Sequence, residues 1–221
     1  MRISLTAVRL RFPTCLPPVL ANLLRRKSVV WVLLVAPGIW ALWPLFRPSP
    51  SDADPLKSAL LHLGLVAAIL LATVLTFSPL RALWPKWDVA QALNRHRRLV
   101  GVAVFAYALL HVVAHTLHVY DGGFATLLQE LQKPFQLTGL VAFAILFVLT
   151  VTSLDAAIRR LGGKRWKNLH RLVYLAAALT IYHQAAARKI FPLQVVWIFG
   201  PVLVLQAARW WRVRKNKTAT A

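Results

Sequence analysis

Two histidines, His170 and His183, lie thirteen residues apart in the stretch GGKRWKNLHRLVYLAAALTIYHQAAARK (162–189). Three more, His111, His115 and His118, follow one another at i+4 and i+7 spacing in an earlier apolar run. An imidazole inside an apolar helix is costly to bury and needs a partner. Neutral imidazole is also an axial ligand for haem iron, and two that face each other fill both axial positions, which suits electron transfer rather than oxygen binding. His170 and His183 are separated by about 20 Å at 1.5 Å per helical residue, most of a hydrocarbon core of roughly 30 Å. The chemistry to expect is ligation at two depths in a membrane. The thirteen-residue spacing also turns about 220° on an ideal helix, so the two do not share a face.

The elements that would position these side chains are membrane spans. Of the 221 residues 58% are hydrophobic and 15% charged, with a mean hydropathy of +0.59, which is not the composition of an ordinary soluble domain. The net charge of +21 sits in short Lys/Arg blocks between long apolar runs, the pattern of topogenic flanks and not of a nucleic-acid-binding face. The runs predict six spans, near 29–46, 59–77, 99–118, 135–154, 169–187 and 191–208, with Pro37 expected to kink the first. Residues 1–28 read as a basic cytoplasmic tail and 209–221 as a second one, flanking a single transmembrane domain over 29–208. Twenty-two of the 27 Lys and Arg fall on the side of the termini and four of the six acids on the other. The positive-inside rule therefore predicts both termini in the cytoplasm. Cys15, the one cysteine, excludes an intramolecular disulfide and a cysteine-ligated iron–sulfur cluster.

In that topology the third and fifth spans run the same way. His111 lies thirteen residues beyond Arg98 and His183 thirteen beyond His170, so His111 and His183 should meet at one depth, toward the outer face. A second group at His170 needs another ligand at its own level, and His96, in a loop, is the only histidine nearby. His62, on the second span, reads as an alternative ligand or a partner for a propionate. His115 and His118 read equally as contacts to the outer group or as interfacial polarity. Arg97, Arg98, Arg171, Arg188 and Lys189 are candidates for pairing with propionates or an anionic flavin, or are topogenic charges at lipid headgroups. There is no P-loop, GxSxG, HExxH or GxGxxG, so any NAD(P)H-oxidising domain belongs to another chain.

The segments HLGLVAAILLATVLTFSPL (62–80), RRLVGVAVFAYALLHVVAH (97–115) and GKRWKNLHRLVYLAAALTIYHQAAARK (163–189) resemble the ferric reductase-like transmembrane domain family. More narrowly they resemble the haem-binding membrane subunits of bacterial periplasmic methionine sulfoxide reductase systems, from about Pro55 to Arg212. The resemblance implies an all-α, six-helix inner-membrane bundle carrying haem b and FMN. Electrons would come from quinol or a cytoplasmic flavin reductase and go to a periplasmic molybdopterin-containing subunit that repairs oxidised proteins. His111, His170 and His183 match the family's haem-associated histidines, and His62 its second-span histidine. The alternatives are a stand-alone ferric or cupric reductase subunit and a non-redox, permease-like protein that passes metal.

Overall fold

In a computed structural model the chain is described over residues 18–47, 53–120, 123–188 and 192–218. Cys15, the tail up to Pro17, Lys189 and residues 219–221 lie outside the described residues. Ten helices follow: α1 (Pro18–Arg25), α2 (Lys27–Phe46), α3 (Pro55–Leu83), α4 (Asp88–Arg95), α5 (Arg97–Tyr120), α6 (Gly123–Leu131), α7 (Pro134–Val151), α8 (Asp155–Leu169), α9 (Leu172–Ala186) and α10 (Leu193–Thr218). Five of these, α2, α3, α5, α7 and α10, are long and apolar enough to cross a membrane, and α9 is a shorter apolar helix. The six expected spans are these six helices.

Their ends follow from local chemistry. Asp54 caps α3 by accepting a hydrogen bond from the Lys57 amide at 2.9 Å, and Pro55 opens the helix. Pro134 opens α7 in the same way. α2 continues through Pro37 and Pro44. The expected fifth span is cut short, because the chain turns at His170 and Arg171 before α9 begins. At 15 residues α9 measures about 22 Å, less than a hydrocarbon core. The residues before that turn, Lys164 to Leu169, are too basic to enter the core and form the last part of α8. That helix is itself broken at Gly162, whose φ of 72° and ψ of 154° a side chain would resist. The basic tail is also not featureless: from Pro18 it is helical, and α1 packs on α4 with Arg25 3.6 Å from Asp88.

α3 is the centre of the bundle, packed against α2, α5 and α10, while α7 pairs with α9 and leans on α5. Half of its most apolar window is buried within the protein, against 17–22% for the other four long helices, whose apolar faces turn outward. Val32, Trp197, Leu203 and Val204 are each more than 60% exposed, the surface of a chain solvated by hydrocarbon. Arg97, Arg98, Lys167, Arg171 and Arg209 converge at one end of the bundle, hereafter the basic end. Glu130, Phe135, Arg188 and Gln194 gather at the far end.

Candidate functional site

His111 on α5 and His183 on α9 come together toward the far end, with ring centres 6.2 Å apart and planes at 88°. Each ring is held by a backbone carbonyl on the helix that its own helix packs against. His111 Nδ1 donates to the Leu60 carbonyl at 2.9 Å, and His183 Nδ1 donates to the Phe135 carbonyl at 2.7 Å. A carbonyl can only accept, so the proton of each neutral ring sits on Nδ1 and the lone pair on Nε2. This is the second-shell arrangement that orients a ligating imidazole and raises its basicity. Two imidazoles holding one metal ion from opposite sides, each at about 2 Å, have ring centres on the order of 6 Å apart. The observed pair matches that span, and it lines a largely apolar cavity of about 540 Å³. The residues fit a bis-histidine haem.

Sequence reasoning missed what seats the rings. A Cβ at Gly64 would stand 2.8 Å from His111 Nδ1, and one at Gly139 2.7 Å from His183 Nδ1. The carbonyls of Leu60 and Phe135 sit one helical turn before these glycines, so each ring reaches its acceptor through a notch that only glycine leaves open. The signal was there as a repeated tetrapeptide, GLVA at 64–67 and again at 139–142. It is followed in each case by RLV, at 98–100 and 171–173, and then by His111 or His183. The pairs α3–α5 and α7–α9 are thus two versions of one hairpin, and the two ligating rings are their equivalent residues.

The other histidines divide. His62 lines the same cavity, 4.5 Å from the Trp40 ring, and its Nδ1 is buried without a hydrogen-bond partner. His115 also lines it, and its Nε2 accepts from the Gln136 side-chain amide. His118 lies 3.3 Å from Asp54 and ties the far end of α5 to the cap of α3, which is interfacial polarity. His96 is buried at the α4–α5 junction and does not line either cavity described here.

His170 lies apart, at the basic end, in a second cavity of about 440 Å³. Six cationic side chains line it (Arg95, Arg97, Arg98, Lys167, Arg171 and Arg209), with no carboxylate and no other histidine. Trp166 packs against the His170 ring at 4.1 Å with the planes tilted by 33°, and Thr152 Oγ1 is 3.4 Å from its Nε2. Burial and then the nearby Arg97 charge hold His170 below the ordinary imidazole range. Arg98 binds Asp155 at 2.7 Å, and that hydrogen bond holds the Asp155 carboxyl below its usual range. In the hairpin repeat His170 corresponds to Arg97 when the RLV segments are aligned and to Arg98 when His111 and His183 are, so in either register the equivalent position carries a guanidinium and not an imidazole. The geometry suits an anion better than a second bis-histidine iron. His170→Ala is accordingly expected to leave a bis-histidine haem spectrum at full intensity per mole of protein, checked by reduced-minus-oxidised spectra of the purified variant.

The model of the ferric reductase like transmembrane component matches residues 63–181. Among curated proteins the chain is similar to the protein-methionine-sulfoxide reductase heme-binding subunit MsrQ of several bacteria. The protein from Ralstonia nicotianae is 35% identical over 77% of this chain and 76% of its own length. Those from Cronobacter sakazakii and an Enterobacter species are 32% and 35% identical, each over 86% of this chain and 98% or 99% of their own.

Proposed function

The chain belongs to the ferric reductase-like transmembrane family, among the heme-binding subunits of protein-methionine-sulfoxide reductases, and on that premise we propose that it carries electrons across the bacterial inner membrane. Haem b, held by Nε2 of His111 and His183, would supply a one-electron carrier with no open coordination site. The observation that carries this reading is the pair of rings whose Nδ1 protons are both spent on backbone carbonyls. The protein's own part is to fix those rings, wrap the cavity in apolar side chains and place it near the far end. His62, with a buried nitrogen in want of a partner, serves a haem edge group.

The basic end lies in the cytoplasm by the positive-inside rule, with both termini, so the histidine pair lies toward the periplasm. There it serves a periplasmic molybdopterin-containing methionine sulfoxide reductase, which repairs oxidised proteins. At the basic end Arg98 and Arg171 flank His170 in a cavity whose cations suit the phosphate of FMN. Electrons enter from that side, from a cytoplasmic flavin reductase or from quinol.

The test is made in vesicles. Haem in the purified, reconstituted protein is reduced by a flavin reductase with NADH supplied on the basic side. The periplasmic partner and methionine sulfoxide are then added on the other. The expected result is haem reoxidation at least tenfold faster with both partner and substrate than with either alone. Reoxidation by ferric or cupric chelates alone, with no response to the partner, would make the chain a stand-alone metal reductase. A protein that takes up no haem when haem is ample would end the redox reading.

A further inference from the structure

The two cavities are separated by a single layer of side chains. Leu71, Val104 and Leu146 line both of them, one from each side. They are only 2%, 1% and 7% exposed and belong to one hydrophobic cluster. Their positions are not scattered. Leu71 follows Gly64 by seven residues and Leu146 follows Gly139 by seven, while Val104 precedes His111 by seven. Seven residues are two helical turns, so each stays on the face that builds the histidine site, about 10 Å nearer the basic end. The fourth helix obeys the same rule: Ala176, seven before His183, is fully buried in the same cluster. The layer is wholly aliphatic. Polar groups resume on either side of it, with Thr180 and Gln184 in the upper cavity and Thr150 and Ser153 in the lower.

We propose that Leu71, Val104 and Leu146 form a dry wall that electrons cross and water and protons do not. This rests on the function proposed above, in that it takes the two cavities as the sites of an electron donor and an electron acceptor. One electron passes from a reduced flavin on the basic side to ferric haem iron on the other. No bond is made or broken across the wall, and the proton the flavin gives up is released on the side where it was bound. An electron tunnels through one layer of packed hydrocarbon, whereas a proton needs a continuous file of water or polar groups. A narrow aliphatic constriction stays dry because water inside it loses its hydrogen bonds without replacement. Without the wall, the two cavities, one toward each end of the bundle, would join into one path, and water entering it would short-circuit the proton gradient of the membrane.

The experiment uses haem-loaded protein in liposomes holding an internal pH dye, with valinomycin and potassium to clamp the potential. Wild-type vesicles should hold an imposed pH step as well as vesicles without protein. Val104→Asn puts an amide into the wall and should collapse the step at least tenfold faster. The near-isosteric Val104→Thr should do so several-fold faster, which keeps the test open if the larger change prevents folding. Val102→Asn, on the lipid-facing side of the same helix, should remain tight. Haem absorbance is read on the same vesicles. If Val104→Asn and Val104→Thr hold the step while retaining haem, or if the wild type leaks as they do, the wall is refuted and electron transport stands. Absence of haem from the wild type refutes the functional reading instead.

Discussion

His111→Ala and His183→Ala are each expected to lower bound haem at least tenfold, with any residue of it changed from a bis-histidine to a five-coordinate spectrum. Ligation of one iron by two equivalent rings makes the variants equal in kind, since removing either leaves the other with half the coordination. Neither change should unfold the protein. The carbonyls that the rings engage, Leu60 and Phe135, lie within the first two turns of α3 and α7, where helical amides one turn on also reach them, so deletion of a ring orphans no buried acceptor. The lost volume lies in an existing cavity, which limits the packing cost. Circular dichroism should therefore match the wild type, and added imidazole, small enough for the space left by the side chain, should restore the spectrum. His115→Ala is the internal control, because its Nε2 is already taken by Gln136. Equal haem retention in His111→Ala and wild type would break the pairing.

The part of this site that could be read from the sequence was the part carried by depth. Apolar runs and basic blocks set where α5 and α9 enter the membrane, and counting from Arg98 and His170 put His111 and His183 at one level. The long helices were legible for the same reason, since 18 or more apolar residues leave little else to be. Short amphipathic elements were not. α1, α4, α6 and α8 have too few apolar residues to stand out from loops, and α8 ends where it does because a basic run meets the apolar start of α9. That boundary took His170 out of the fifth span and left it facing arginines. Depth also says nothing about rotation. The seating of each ring depends on which helix face carries a missing side chain, and one glycine in an apolar span has many innocent readings. Only the recurrence of GLVA, RLV and His in one order distinguishes Gly64 and Gly139 from the other glycines.

Gly64→Ala and Gly139→Ala are therefore expected to damage haem binding although neither touches a ligand's identity. The added methyl carbon would meet the His111 ring at 2.8 Å or the His183 ring at 2.7 Å, well inside contact distance. Something must move, and the imidazole is the part that can. Alanine also favours the helix over glycine by roughly 1 kcal/mol, so the backbones of α3 and α7 have no reason to give way. The displaced ring loses its carbonyl, and with it the hydrogen bond that fixed the Nδ1–H tautomer and aimed Nε2 at the metal. Loss of such an orienting partner typically costs about 10–100-fold in affinity for the metal group, and a drop of that size in haem affinity is the expected reading by titration into the haem-free protein. Folding should be retained, and the melting temperature of the haem-free variants should equal or exceed that of the haem-free wild type. Gly101→Ala is the comparison, a glycine on α5 at which a Cβ meets nothing within 4 Å, and it should bind haem as the wild type does. If Gly139→Ala binds haem with unchanged affinity and spectrum, His183 reaches the iron without its notch, and the carbonyl bond is an accident of packing and not part of the site.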